Sequence, residues 1–290
     1  MKPLPALDFS VPHRLVDVGH SRLAYWRVGR GPDVLFIHGW PLTAATFRHS
    51  VAALAAEYTC HLFDLPGCGD TDWSDRSLID LDTHAATVRA LVDGVGLDRY
   101  TIVAHDSGGF IARDLAASDE RVNGLVLGNT EIPDYTPAPL IAFGLVGKLG
   151  LGRPMMRLLL GSDWLRHSPL VFGNCFTDRS YIDGEFGQLF VRPLVSSRRA
   201  LAGQARLIDT VKPATMARLR SIHPRIRVPV ALVWGTDDPW FPLSRAKTMR
   251  TQFGGPCDLV EIAGAKLFAH EDHADEFAVA ARAHLGRCWS

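Results

Sequence analysis

The sequence predicts an α/β fold: a mostly parallel central sheet with helices on both faces. Three observations carry that expectation. Short apolar, β-rich runs alternate with amphipathic helical patterns from Val34 onward. The runs are continuously apolar, as strands buried on both faces are. The 290 residues suffice for one large domain with a sizeable core and an insertion.

Strands are expected at 23–26, 34–37, 60–63, 101–104, 124–127, 230–234 and 258–262, and helices at 44–56, 81–92, 110–117, 243–253 and 272–285. One interval breaks the alternation. Between the runs ending at Leu127 and starting at Val230 there is no clear strand, only helix-like segments and prolines at 133, 137, 139, 154 and 169. So long an excursion is not a simple loop. It reads as a helical cap over 133–220 inserted into a core formed by 1–132 and 221–290.

Composition narrows the function classes. The 31 basic and 31 acidic residues balance, which gives no electrostatic footprint for nucleic acid or an anionic membrane. The five cysteines are odd in number, scattered and without metal-ligand spacing, so a reducing compartment is expected. Residues 1–10 lack a basic start followed by an apolar run, and 140–160 is broken by Lys148, Arg153 and Pro154. A soluble cytoplasmic protein with no cofactor, no metal and a small-molecule substrate is the expectation, with a homodimer allowed. No glycine-rich phosphate loop or His/Cys cluster opposes it.

The chemistry concentrates in Tyr100-Thr-Ile-Val-Ala-His-Asp-Ser-Gly-Gly109. A β-branched run meets a helical one, with Ala104 and Gly108 two places either side of Asp106. Small residues at those offsets let a strand turn sharply into a helix and lift the central side chain into a pocket. A carboxylate at the apex attacks carbon and leaves an ester on the protein. The bland reading is an Asp capping the following helix. Shifting the apex to Ser107 puts His105 where a small residue is needed.

Together with His38-Gly39-Trp40-Pro41, Asp64-Leu-Pro-Gly-Cys-Gly69 and Trp234-Gly-Thr-Asp-Asp-Pro239, this turn resembles the α/β-hydrolase fold superfamily along nearly the whole chain. The Asp apex and His-Gly-x-Pro resemble its epoxide hydrolase and haloalkane dehalogenase branch. The resemblance implies an α/β-hydrolase fold and a cofactor-independent hydrolase acting through an aspartyl ester, with an epoxide preferred. A haloalkane or an atypical ester or lactone is the alternative. The dehalogenases carry Asn at the Trp40 position and Trp at the Ser107 position, and this chain has neither.

By the same resemblance Asp106 is the nucleophile, and the backbone N–H groups of Trp40 and Ser107, beside His38, form the oxyanion site. Asp238 orients the base, with Glu131 as the alternative acid. Tyr135 and Tyr181 are cap tyrosines available to an epoxide oxygen. The base is where the sequence departs from the pattern. Ungapped, its position holds Leu267, which transfers no proton. His270, three residues on, is the substitute. If it does not serve, a non-hydrolytic, ligand-binding member is the remaining reading.

Overall fold

The computed structural model describes residues 7–210 and 213–290. The first six residues, which carry much of the leader expectation, and 211–212 of the expected cap lie outside them. Eight strands form one sheet: β1 (Arg14–Asp17), β2 (Arg22–Gly29), β3 (Asp33–Ile37), β4 (Thr59–Phe63), β5 (Tyr100–His105), β6 (Val122–Gly128), β7 (Val230–Gly235) and β8 (Cys257–Ile262). Their spatial order is β1-β2-β4-β3-β5-β6-β7-β8. β1 and β2 pair antiparallel with their neighbours; from β4 across to β8 every pairing is parallel.

The period-2 alternation of the strands sorts the core into two layers. Leu35, Ile37, Ile102, Ala104, Leu125 and Leu127 face one side. There they meet α2 (Leu81–Val95) and α3 (Ser107–Ala116). Val34, Phe36, Val103, Val126 and Val233 face the other side. There they meet α1 (Arg48–Leu54) and the last helix of the chain, Ala274–Trp289. The expected helix at 44–56 is a 3-10 turn, Ala44–Phe47, running into α1. β1 was not foreseen, because Arg14-Leu-Val-Asp17 is too short and half polar to read as a strand.

Between β6 and β7 the described residues contain no named strand. They hold α4 (Ala138–Lys148), α5 (Gly152–Gly161), α6 (Asp163–Arg166), α7 (Arg192–Ser196), α8 (Arg198–Thr210), α9 (Pro213–Ala217) and α10 (Leu219–Ile222). Phe172, Phe176, Phe186 and Phe190 of this segment form one aromatic cluster with Phe268. After β7 come α11 (Leu243–Met249), then α12 (Ala269–Asp272) and α13 (Ala274–Trp289) beyond β8. No described helix is long and apolar enough to cross a membrane.

The close packing of α3 against β3 sets a sharp steric requirement. A Cβ on Gly108 would lie 2.2 Å from the Ile37 carbonyl oxygen and 2.6 Å from that of His38. Gly108→Ala is therefore expected to lower the unfolding free energy by about 2 kcal/mol or more, as overpacking does. Gly286→Ala, in open space on α13, is expected to raise it by about 0.5–1 kcal/mol. Denaturant unfolding of the two variants checks both signs.

Candidate active site

Asp106 joins β5 to α3 with φ 49° and ψ −134°. A non-glycine residue holds a positive φ only where the surroundings enforce it. Here its N–H donates to the Asn129 carbonyl at 3.1 Å, and its own carbonyl accepts from Gly109 N–H at 2.7 Å. Beyond the Ser107 N–H at the junction itself, the side chain makes no capping bond to α3, so the helix-cap reading fails. Instead Oδ2 accepts from the Trp40 backbone N–H at 2.9 Å, and the Ser107 N–H also donates to the carboxyl. Gly39 makes that approach possible, since a Cβ there would sit 2.5 Å from the Asp106 Cβ.

Asp106 lies at the junction of two tight cavities of about 40 and 60 Å³. Each has room for a few water-sized groups. Both share Trp40, Leu140 and Phe241. The first also holds Ser107, Glu131 and Tyr135; the second holds Cys175, Trp240, Leu267 and Phe268. Small apolar molecules suit such walls.

Three carboxyl groups surround this point. Glu131 follows β6 by three residues, and its Oε2 accepts from Thr130 Oγ1 at 2.7 Å and Arg113 Nη2 at 3.4 Å. Arg113 is wholly buried; it also donates to the carbonyls of Gly109 and Glu131 at 2.8 Å each. Asp238 is bound through both oxygens, by Asn129 Nδ2 at 2.7 Å and Trp240 N–H at 2.8 Å. Asn129 completes the link, accepting from Gly235 N–H at 2.9 Å. Burial and then the facing Glu131 carboxylate hold the Asp106 carboxyl well above the ordinary carboxylate range. Burial likewise raises Glu131 against the pull of Arg113, and pushes Asp238 up to about 7.

The histidines are elsewhere. His270 is fully buried on the opposite side of the sheet, its ring against His105 (centroids 4.0 Å), Phe47 and Phe277. Its Nε2 meets Thr46 Oγ1 at 2.7 Å, and the same hydroxyl donates to Glu271 at 2.6 Å. The assignment of His270 as base is thus corrected. Leu267 and Phe268 pack with the cavity-side layer, whereas Ala269 starts α12 and belongs to the far layer with His270 turned the same way. Desolvation keeps His270 uncharged, and it packs between the 3-10 turn Ala44–Phe47 and α13. His38 is also a structural tie: Nδ1 meets the Gly39 carbonyl at 3.0 Å and Nε2 accepts from Leu65 N–H at 3.0 Å.

Of the two tyrosines, Tyr135 lines the cavity beside Asp106, with the Arg245 guanidinium 4.4 Å over its ring. Tyr181 stacks on Phe176 and touches neither cavity. Its expected role is withdrawn for that reason. Asp238, fully occupied, orients no histidine among the described residues. Sequence reading missed Asn129, Arg113 and Trp240. Asn129-Thr130-Glu131 does follow a strand end beside the elbow, a position where polar residues are a signal.

An alpha/beta hydrolase family model matches residues 34–281, and the chain belongs to that family. Haloalkane dehalogenase 2 of Mycobacterium tuberculosis is 28% identical over 272 residues, 92% of each chain. The soluble epoxide hydrolase of a Corynebacterium species is 32% identical over 106 residues, 37% of each chain. The epoxide hydrolase CorEH has the same fold, with a TM-score of 0.78 at 19% identity over 94% of this chain and 97% of its own. Within that family its relatives include haloalkane dehalogenases and epoxide hydrolases.

Two outcomes follow from this geometry. Asp238 binds its proton more tightly folded, at about 7, than unfolded, at about 4. Its contribution to stability is complete below the unfolded value and is lost as pH rises through the folded one. Denaturant unfolding across pH 4–8 should show stability falling, by up to about 1.4 kcal/mol per pH unit for each such group. Asp238→Asn should flatten that slope. His270→Ala should cost about 2 kcal/mol of stability while leaving substrate turnover per folded molecule unchanged.

Proposed function

We propose that this hydrolase opens a small apolar epoxide through an ester on Asp106. The observation that carries the proposal is the Asp106 carboxyl itself. It is anchored through Oδ2 by the Trp40 N–H and opens onto apolar cavities. A nucleophile so oriented needs no further positioning to reach a carbon electrophile. Attack breaks a carbon–oxygen bond of the epoxide, and its oxygen takes up a proton, with the Tyr135 hydroxyl as the nearby donor. Water then adds to the ester carbonyl, and the N–H groups of Trp40 and Ser107 stabilise the resulting oxyanion. A haloalkane is disfavoured because the Trp40 indole N–H is already committed to the Gln204 carbonyl at 3.1 Å.

A second reading has one observation in its favour. Leu267 occupies the cavity wall beside Asp106, and a chain with no base forms the ester once and retains the ligand. Turnover distinguishes the two.

Repeated turnover of styrene oxide in heavy-oxygen water should place label in the Asp106 carboxyl, read by peptide mass spectrometry. Product without label would rule out the ester. A stoichiometric adduct without product would establish the ligand-binding reading. Asp106→Asn should cut ester formation by about 10³-fold or more. Only the ionised carboxylate attacks, and its ionisation is displaced upward. The rate of ester formation should therefore keep rising with pH beyond the usual carboxylate range.

A further inference from the structure

We propose that Glu131 is the general base that hydrolyses the Asp106 ester, in the place the family pattern gives to a histidine. The inference rests on the ester reading above. Its first support is position. Glu131 and Asp106 line one cavity, and neither cavity that touches Asp106 has a histidine in its wall. The position where a histidine is expected presents Leu267, and the histidine three residues on faces the opposite layer of the core. Asp238 does not compete, since it lines neither cavity and both its oxygens are held.

The second support is how Glu131 is held. Both side-chain donors, Thr130 Oγ1 and Arg113 Nη2, engage Oε2. Backbone N–H groups of Glu131 and Phe110 also bond the carboxyl, and neither side-chain donor engages Oε1, so the group is held in one orientation at the cavity wall, as a base must be. Arg113 is in turn fixed by the Gly109 and Glu131 carbonyls at 2.8 Å each. The positioning chain runs from the helix that follows the nucleophile, through Arg113 and Thr130, to Glu131. The Thr130 hydroxyl also lies 2.8 Å from the Asp106 carbonyl, so one side chain ties the two carboxylate-bearing segments together.

The reaction balances with these groups alone. Glu131 takes a proton from water as the water oxygen bonds to the Asp106 ester carbon. The carbonyl electron pair moves to the oxygen facing the Trp40 and Ser107 N–H groups. When it returns, the bond from that carbon to the alkyl oxygen breaks. The departing oxygen takes the proton from Glu131, which returns to carboxylate. The second water proton remains on the regenerated Asp106 carboxyl and passes to solvent. Forming the ester also removes the negative charge of Asp106 that faces Glu131, which favours ionised Glu131 while there is an ester to hydrolyse.

Single-turnover rapid quench with styrene oxide, followed by intact-mass measurement, tests this. Wild-type protein should show a transient adduct. Glu131→Gln should form the adduct and hold it on the order of 10²–10⁴ times longer, the usual weight of a general base. Arg113 loses a charged partner in that variant, so Glu131→Asp, which keeps the charge but shortens the reach, is the second arm. It should also prolong the adduct, with a melting temperature near wild type. Adducts of equal lifetime in wild type and Glu131→Asp overturn the role of Glu131 and leave the ester intact. Product formed by wild type with no adduct and no label on Asp106 overturns the ester, and this inference with it.

Discussion

The Trp40 N–H to Asp106 Oδ2 hydrogen bond is the contact on which the site depends. It exists only because the chain bends at Asp106 with a positive φ, which aims the carboxyl back towards the end of β3. Two glycines make the bend possible by letting backbone and side chain approach where a Cβ would collide. The parallel sheet contributes the rest. β3 and β5 are adjacent, so the loop after β3 and the elbow after β5 emerge side by side at one sheet edge. Ligand sites in open α/β sheets form at the carboxyl ends of the strands for this reason.

Around that bond the charge balance is unusual. Three carboxyl groups, of Asp106, Glu131 and Asp238, act on this site, and Glu131 alone is paired with a buried guanidinium, that of Arg113. A dry wall of Leu267, Phe268 and Trp240 closes one side. Like charges in a poorly solvated space oppose each other's ionisation, and every one of the three carboxyls is displaced upward. The arrangement assembles proton carriers around the elbow without any imidazole. His105 and His270 are pressed ring to ring on the far side, where burial holds both uncharged.

Much of the fold was legible in the sequence, and the reason is periodicity. The inner parallel strands are short, almost wholly buried and mostly apolar, so each marks itself without reference to its neighbours. β1 did not, being short and at the sheet edge. The Asp106 elbow was legible because Ala104 and Gly108 report a local steric demand. Trp40 and Ser107 were named through the resemblance of His38-Gly39-Trp40-Pro41 and the elbow to the family pattern. His270 was not legible. Whether a residue three places past Leu267 faces the cavity or the opposite layer is settled by where α12 begins and by its packing against Phe47 and Phe277. Tyr135 and Tyr181 stood equal in sequence; one lines the cavity and the other stacks on Phe176.

The sequence by itself determined the fold class, the family resemblance and the carboxylate at the elbow, because these rest on local spacing and hydrophobic pattern. Tertiary structure decided which proton carriers stand near that carboxylate. Glu131 and Asn129 stand beside the elbow only because β5 pairs with β6, and Asp238 joins Asn129 only because β6 pairs with β7. His270 is carried away by the same packing that seats Leu267 in the wall. Orientation across a folded sheet is a long-range property, and no spacing along the chain encodes it.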